Sequence, residues 1–358
     1  MDLQQAMFAA VAPRPKVARP IVLIGAGGIA HDAHLPAYAK AGFPVIAVVD
    51  VDQEKAQALA QRFGIPKVAA TIEEAVRYAP RDVVFDCAAP APAHRAILAR
   101  LPNGAAVLTQ KPMGETLAEA EEILAICRNK GLTAAVNFQL RYAPNMLAAR
   151  ALHNTGALGE LHDMEVAVSC HMPWELWSFL DRAPRLEILY HSIHYVDLVR
   201  SWFGNPLGVY AKTVKSPRTA HLAATKTVMV LDYGESKRIF ITTNHSHDFA
   251  AKMQRSFVQW EGISGAMRAQ MGVNLNYPIG LPDTLEYIVR GDPDWSEFGV
   301  SGSWFPDAFI GSMGSLQAYI QGESEILSTS VEDAIDTMRT VEAAYRSSER
   351  GGVALIGL

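Results

Sequence analysis

Ile21-Val22-Leu23-Ile24-Gly25-Ala26-Gly27-Gly28-Ile29-Ala30 is the stretch on which the reading of this 358-residue chain turns. Four consecutive apolar residues suit a short strand buried on both faces, as parallel strands are. A G-x-G-x-x-A turn follows without a gap. Gly25 permits the tight turn, Gly27 lets the backbone approach a pyrophosphate, and Ala30 is small enough for the next helix to pack close on the strand. The helix opening at Gly28 and Ile29 then turns free N–H groups and its positive dipole end toward the phosphates.

A glycine-rich turn alone is weak evidence, so the next strand matters. Val45-Ile46-Ala47-Val48-Val49 ends at Asp50, 20 residues beyond Ala30, where an acid hydrogen-bonds the adenine-ribose hydroxyls. Asp50 repels a 2′-phosphate and Val51-Asp52 brings no arginine to bind one, so the expected cofactor is NAD and not NADP. Asp52 reads as the N-cap of a helix over 53–63. Strand and helix patterns alternate onward: helix 73–78, strand 82–87, a helix opening near His94, a strand over 104–108, helix 116–130 and strand 133–138. That alternation predicts an α/β doubly wound parallel sheet. Ala88-Ala89-Pro90-Ala91-Pro92 is a proline-stiffened loop at the sheet edge where ligands bind, with Ala89 and Pro90 placed to cover the cofactor. His94 after it reads as structural more than catalytic.

Composition sets bounds. Hydrophobic residues make up 49% of the chain and the formal net charge is −5, so a compact core can form and no basic field exists for a polyanion. Nucleic acid is therefore excluded as a partner. Cys87, Cys127 and Cys170 are odd in number, far apart and without CxxC spacing, which suits free thiols in a reducing cytoplasm. Residues 6–12 form an apolar run, but Asp2 and no basic residue precede it and Pro13-Arg14-Pro15-Lys16 ends it. Residues 1–19 are read as a flexible leader, not a signal peptide. No stretch reaches the roughly 18 apolar residues that cross a bilayer.

The strand over 104–108 leads into Thr109-Gln110-Lys111-Pro112-Met113-Gly114. A lysine held there, at the carboxyl end of a parallel strand, can stabilise negative charge on an oxygen. Past Arg141-Tyr142-Ala143-Pro144 the pattern changes. Runs with strand character over 161–169, 226–233, 238–244, 254–261 and 266–271 are in several cases joined by short turns, and this argues for antiparallel pairing. Three domains result: the leader 1–19, a dinucleotide-binding domain 20–140, and an α+β domain 141–358 that closes on a helix over about 330–349.

These residues resemble the Gfo/Idh/MocA family of nicotinamide-dependent oxidoreductases, which act mostly on sugars, inositols and related polyols. Four features carry the resemblance: GAGGIA with Asp50, the AAPAPAH loop, the QKPMG loop, and His191-Ser192-Ile193-His194-Tyr195-Val196-Asp197. The tail from Ser328 through Ser347 matches as well. The resemblance implies a large, mostly antiparallel second sheet whose exposed face mediates homodimers or homotetramers. Two departures stand out. The family's usual loop reads Glu-Lys-Pro, and Gln110 replaces the acid. The usual segment has an aspartate four residues before the histidine and a glycine two before it; here Tyr190 and Ser192 stand there.

A helix over 187–202 places Tyr190, His194 and Asp197 on one face, with His191 beside His194. Oxidising a carbinol removes a proton from oxygen and a hydride from carbon. His194, of a residue type with an unperturbed pKa of about 6.5, suits the proton acceptor and Lys111 stabilises the alkoxide; Tyr190 is the alternative acid/base. The expected site is thus catalytic Lys111, His194 and Tyr190, with Gln110 and His94 joining the cofactor-binding set. Asn137, Arg141, Trp174 and His191 are expected at a sugar or polyol substrate. Trp177, His245, His247 and the Trp304-Phe305-Pro306-Asp307 segment are further candidates for its walls. No Glu or Cys completes a ligand set with His191 and His194, so no metal is expected. An NAD-binding sensor or an NAD-dependent glycosidase of the same fold is the alternative.

Overall fold

The computed structural model describes residues 3–176 and 178–353, so Trp177 lies outside it. The chain divides into two compact units. One comprises Val11–Pro144 and Ser303–Met338; the other is built on Asn145–Gly302.

The first unit holds a six-stranded sheet in the order β3-β2-β1-β4-β5-β6, every neighbouring pair parallel. Its strands are β1 (Ile21–Ile24), β2 (Val45–Val49), β3 (Lys67–Ala69), β4 (Val84–Cys87), β5 (Ala106–Thr109) and β6 (Thr133–Val136). Chain order reverses between β1 and β4, which makes a crevice at the carboxyl ends of the strands, the place where doubly wound sheets bind ligands. Three of the helices between strands carry side-chain N-caps, the one at Asp52 as the sequence suggests. Asp52, Thr71 and Thr116 each accept a main-chain N–H three residues on. β1 and β4 are buried throughout.

Residues 303–338, expected in the second domain, belong to this unit. The reason is the helix Trp304–Ile320, whose Phe309, Ile310, Met313 and Leu316 are buried in one cluster with Tyr38 and Phe43 and with Val84, Leu108 and Ala135 of the parallel sheet. Further on, Val136 donates to the Thr329 carbonyl at 2.8 Å and Ala135 bridges Ser330, so this segment covers the sheet edge at β6. The later part of the leader is also held here. Lys16 and Arg19 donate main-chain N–H groups to Glu323 and Gln317, and a Cβ at Gly314 would lie 2.0 Å from the Pro13 carbonyl oxygen. The expectation of a flexible leader thus missed a bound strap.

The second unit holds an eight-stranded sheet in the order β14-β13-β12-β11-β7-β10-β9-β8. Its strands are β7 (Leu161–Ser169), β8 (Gly208–Val214), β9 (Lys226–Asp232), β10 (Arg238–Asn244), β11 (Arg255–Gly262), β12 (Gly265–Gln270), β13 (Thr284–Val289) and β14 (Ser296–Glu297). Of these neighbours β7 and β10 pair in parallel and the rest are antiparallel, as the short turns predict. Buried residues alternate with half-buried or exposed ones along β9 and β10, the mark of a sheet with one covered face. Among the described residues no helix is long and apolar enough to cross a membrane.

Candidate active site

The turn after β1 is built for close approach. Gly25 adopts a φ of +108°, and a Cβ there would lie 2.9 Å from the Ala88 carbonyl carbon, so both its conformation and its neighbour require glycine. Around Gly27, by contrast, nothing lies within 4 Å of where a Cβ would be, and Gly28 faces only Asp32 Oδ2 at 3.8 Å. This open backbone is what a pyrophosphate needs. The following helix begins with a π-helical turn, Ala30–His34, before becoming α-helical over Leu35–Ala41. At the end of β2 the Asp50 carboxylate accepts from the main-chain nitrogens of Ala26 at 2.6 Å and Asp52 at 2.8 Å, which ties the acid to the glycine turn. Asp52 itself caps its helix through Lys55 and pairs with the lysine side chain at 2.9 Å.

The loop after β4 is fixed from beneath by His94. Its Nε2 lies 2.9 Å from the Ala89 carbonyl, which can only accept, so Nε2 carries the proton. Burial pushes this imidazole down to about 4, so it stays neutral while it holds the loop. The hydrogen bond thus ties the start of this helix to the Ala89 carbonyl.

Lys111 leaves the carboxyl end of β5, and burial lowers its amine from the usual lysine range to about 8. Gly114, with φ +90°, turns the chain where a Cβ would meet Glu119 Cβ at 2.9 Å. The Gln110 side chain points inward. It is 6% exposed and bonded to the Lys111 main chain at 3.1 Å and to His34 at 2.7 Å. Fully buried Asn137 joins the same His34 nitrogen at 3.4 Å, and His34 reaches fully buried Asp86 at 2.7 Å. Arg141 binds the Ser328 carbonyl at 2.7 Å and Asp333 at 2.8 Å, an anchor for the segment before the last helix.

In the other unit, the expected helix over 187–202 is a π-helical turn, Ile188–Ser192, running into an α-helix, Ile193–Phe203, closed by Gly204. π turns inside helices are rare and cluster at functional sites, and here one carries Tyr190 and His191 directly before His194. Tyr190 and His194 are 7% and 6% exposed. Phe179 stands edge-on to Tyr190, with ring centroids 5.7 Å apart. His191 contacts Trp174 edge-on at 4.8 Å and lies 4.7 Å from the ring of His245. Beneath it runs a buried ionic group. Glu187 lies 3.3 Å from His245 and accepts from Ser192 at 2.5 Å, while Cys170 Sγ is 3.5 Å from His245 Nδ1. Burial alone would lower the His245 pKa, but Cys170 and Glu187 hold it up at about 10; burial likewise opposes the Glu187 charge, and His245, Ser192 and Thr227 keep its pKa below the ordinary range.

His34, Asp86 and Glu187 were not among the candidates that the sequence offered, and Cys170 was expected only as a free thiol. Asp86 left a signal, because a charged residue inside the apolar run Val83-Val84-Phe85-Asp86-Cys87 needs a buried partner. Trp174, 4% exposed, packs among the histidines, and Trp304 opens the helix Trp304–Ile320 of the first unit. Among the described residues no group of three or more His, Cys, Asp or Glu is placed to hold a metal.

The profile described as "Oxidoreductase family, NAD-binding Rossmann fold" matches residues 19–138. A D-apiose dehydrogenase of Paraburkholderia graminis is 26% identical over 339 residues, 92% of this chain and 87% of that protein. The trans-1,2-dihydrobenzene-1,2-diol dehydrogenase of Mus musculus is 34% identical over 39% of this chain and 42% of its own length. Among solved structures, an oxidoreductase from Agrobacterium radiobacter in complex with NAD+, L-tartaric acid and magnesium shares the fold at TM-score 0.79 and 19% identity, covering 94% of this chain and 98% of that one. The aldose-aldose oxidoreductase of Caulobacter crescentus shares it at TM-score 0.77 and 18% identity, over 95% and 100%. With the glycine turn, Asp50 and the Lys111 loop in place on a parallel sheet of order 3-2-1-4-5-6, residues 19–138 match the NAD-binding Rossmann domain of the Gfo/Idh/MocA oxidoreductases.

Proposed function

We propose that the chain is an NAD-dependent dehydrogenase that oxidises a carbinol or hemiacetal carbon of a sugar, inositol or related polyol. The observation that carries this reading is the lysine at the end of β5. It leaves the same sheet edge as the Gly25 turn, and its amine has been lowered to about 8. The open backbone at Gly27, the Gly25 turn and the Asp50 carboxylate would hold the dinucleotide, which when bound supplies a nicotinamide that accepts the hydride. Lys111 steadies negative charge on the substrate oxygen and His194 takes its proton, so a CH–OH becomes C=O with one hydride and one proton removed. Tyr190 is the second candidate for the proton.

Asp50 favours NAD over NADP, since a 2′-phosphate would meet its carboxylate. The relative that spans most of the chain is named for D-apiose, so a small pentose is the first substrate to try. Tyr210, Val230 and Phe240 lie side by side across β8, β9 and β10, with Tyr210 and Val230 exposed, and this supports a homodimer or homotetramer. Three free thiols support a cytoplasmic location.

The test is formation of reduced nicotinamide from NAD with D-apiose, other aldoses, inositols and linear polyols. Turnover of at least one sugar or polyol is expected. Tight NAD binding without turnover across the panel would instead make the protein a sensor, and release of the leaving group from an aryl glycoside would make it a glycosidase.

A further inference from the structure

The Gln110 amide has only one way round. A main-chain N–H donates and cannot accept, so the Gln110 atom 3.1 Å from the Lys111 nitrogen is the carbonyl oxygen. The amide nitrogen, which only donates, then lies 2.7 Å from Nε2 of His34. That ring nitrogen must accept, so it carries no proton. Asn137 Nδ2 turns a second donor toward the same atom at 3.4 Å. The proton of the imidazole is left on Nδ1, 2.7 Å from Asp86 Oδ2, and the Tyr38 hydroxyl donates to that same oxygen at 2.8 Å. Phe309 closes the remaining side, its ring centroid 4.9 Å from that of His34. The donors all run one way, from Lys111 through Gln110 and His34 to Asp86.

We propose that Gln110 is a positioning residue for Lys111, and that its amide, standing where the family's usual loop has a carboxylate, selects the Nδ1-protonated form of His34. A glutamate in this place has no proton to give Nε2. Two carboxylates facing one imidazole are satisfied by an imidazolium, so the Gln110→Glu change would draw a second proton onto the ring. The net charge of the group is −1 in either case. What changes is its place: with the native amide the negative charge stays on Asp86, whereas in Q110E a carboxylate bonds the main chain of Lys111 itself. The same donors and acceptors define a third state. In the double variant D86N/Q110E, the carboxylate at position 110 accepts a hydrogen bond from Nε2–H and the amide at position 86 donates to Nδ1, so the tautomer reverses.

The experiment is two-bond 1H–15N correlation on histidine-labelled protein, with His34 assigned by its loss in H34Q. Wild-type His34 is expected to be protonated on Nδ1 alone at neutral pH, Q110E on both nitrogens, and D86N/Q110E on Nε2 alone. An Nε2-protonated or doubly protonated ring in the wild type overturns the assignment without recourse to any variant, and so does a Q110E ring that matches the wild type. A kinetic arm rests on the dehydrogenase reading above. Q110E and Q110M are each expected to lower kcat on the sugar on the order of tenfold with KM for NAD within about twofold, as a displaced catalytic group does. Unchanged kcat in both overturns the positioning role, while the tautomer measurement stands or falls independently of whether a sugar is the substrate.

Discussion

The Asp50 carboxylate lies 2.6 Å from the main-chain nitrogen of Ala26, so the acid at the end of β2 is braced against the turn that follows β1. This contact fixes where the adenosine ribose must sit if the dinucleotide binds as the glycine turn suggests. Two of its outcomes can be measured. The wild type is expected to prefer NAD over NADP by on the order of 100-fold in kcat/KM, and D50A is expected to narrow that preference to about tenfold or less by removing the repulsion of the 2′-phosphate. Equal use of the two cofactors by the wild type would show that Asp50 does not face the ribose.

His94 gives the fold an acid-sensitive point. Its imidazole is held at about 4 against about 6.5 in an unfolded chain, so the folded state binds fewer protons between those values. The stability it contributes is present above pH 6.5 and is lost as pH falls toward 4, with a ceiling of about 3 kcal/mol. In thermal unfolding followed at pH 7 and pH 5, H94Q is expected to lose less stability on acidification than the wild type. Parallel curves would remove His94 as the cause.

Glu187 and His245 form an ion pair in which neither side chain is more than 1% exposed. Its two shifts have opposite signs. His245 is raised to about 10, so its share is complete below pH 6.5 and lost as pH rises through 10, whereas that of Glu187, held below its usual range, is lost only on acidification. E187Q leaves an imidazolium buried without its carboxylate and is expected to cost about 3–5 kcal/mol in chemical denaturation at pH 7. A cost under about 1 kcal/mol would mean that His245 is neutral in the native protein.

Much of this architecture was open to the sequence alone, and the limits have physical reasons. The parallel sheet is legible because β1, β2 and β5 are largely apolar runs that lead into Gly25, Asp50 and the Lys111 loop, with helical patterns between them. The antiparallel sheet is legible from its short turns. The placement of Trp304–Ile320 was not, because periodicity shows that a helix has an apolar face and says nothing about which sheet that face covers. The leader failed for a related reason: proline-rich segments without periodicity read as loose, yet Gly314 leaves a slot for the Pro13 carbonyl that only a folded partner reveals. At the site, Gln110 and Asn137 are residues whose type suggested ligand contact, whereas their amides converge on buried His34. The sequence carries the residue types but not the direction in which each side chain points.

On the proposed dehydrogenase reading, the lowered amine of Lys111 would set the alkaline limb of activity. Burial brings it to about 8, so the ammonium that steadies an alkoxide is present below that pH and lost above it. The rate of sugar oxidation in kcat/KM is expected to fall as pH rises through 8. In K111R the cation persists, and whatever activity remains should show that limb displaced above pH 10. An identical alkaline limb in K111R would assign it to another group.

Turnover by K111M measures the central claim most directly, with NAD affinity determined on the same preparation. A loss of about 100-fold or more in kcat on the best sugar, with NAD binding changed by less than about tenfold, is the expected result for a lysine that stabilises charge at the reacting oxygen. A kcat within about threefold of the wild type would contradict the account and remove Lys111 from the chemistry.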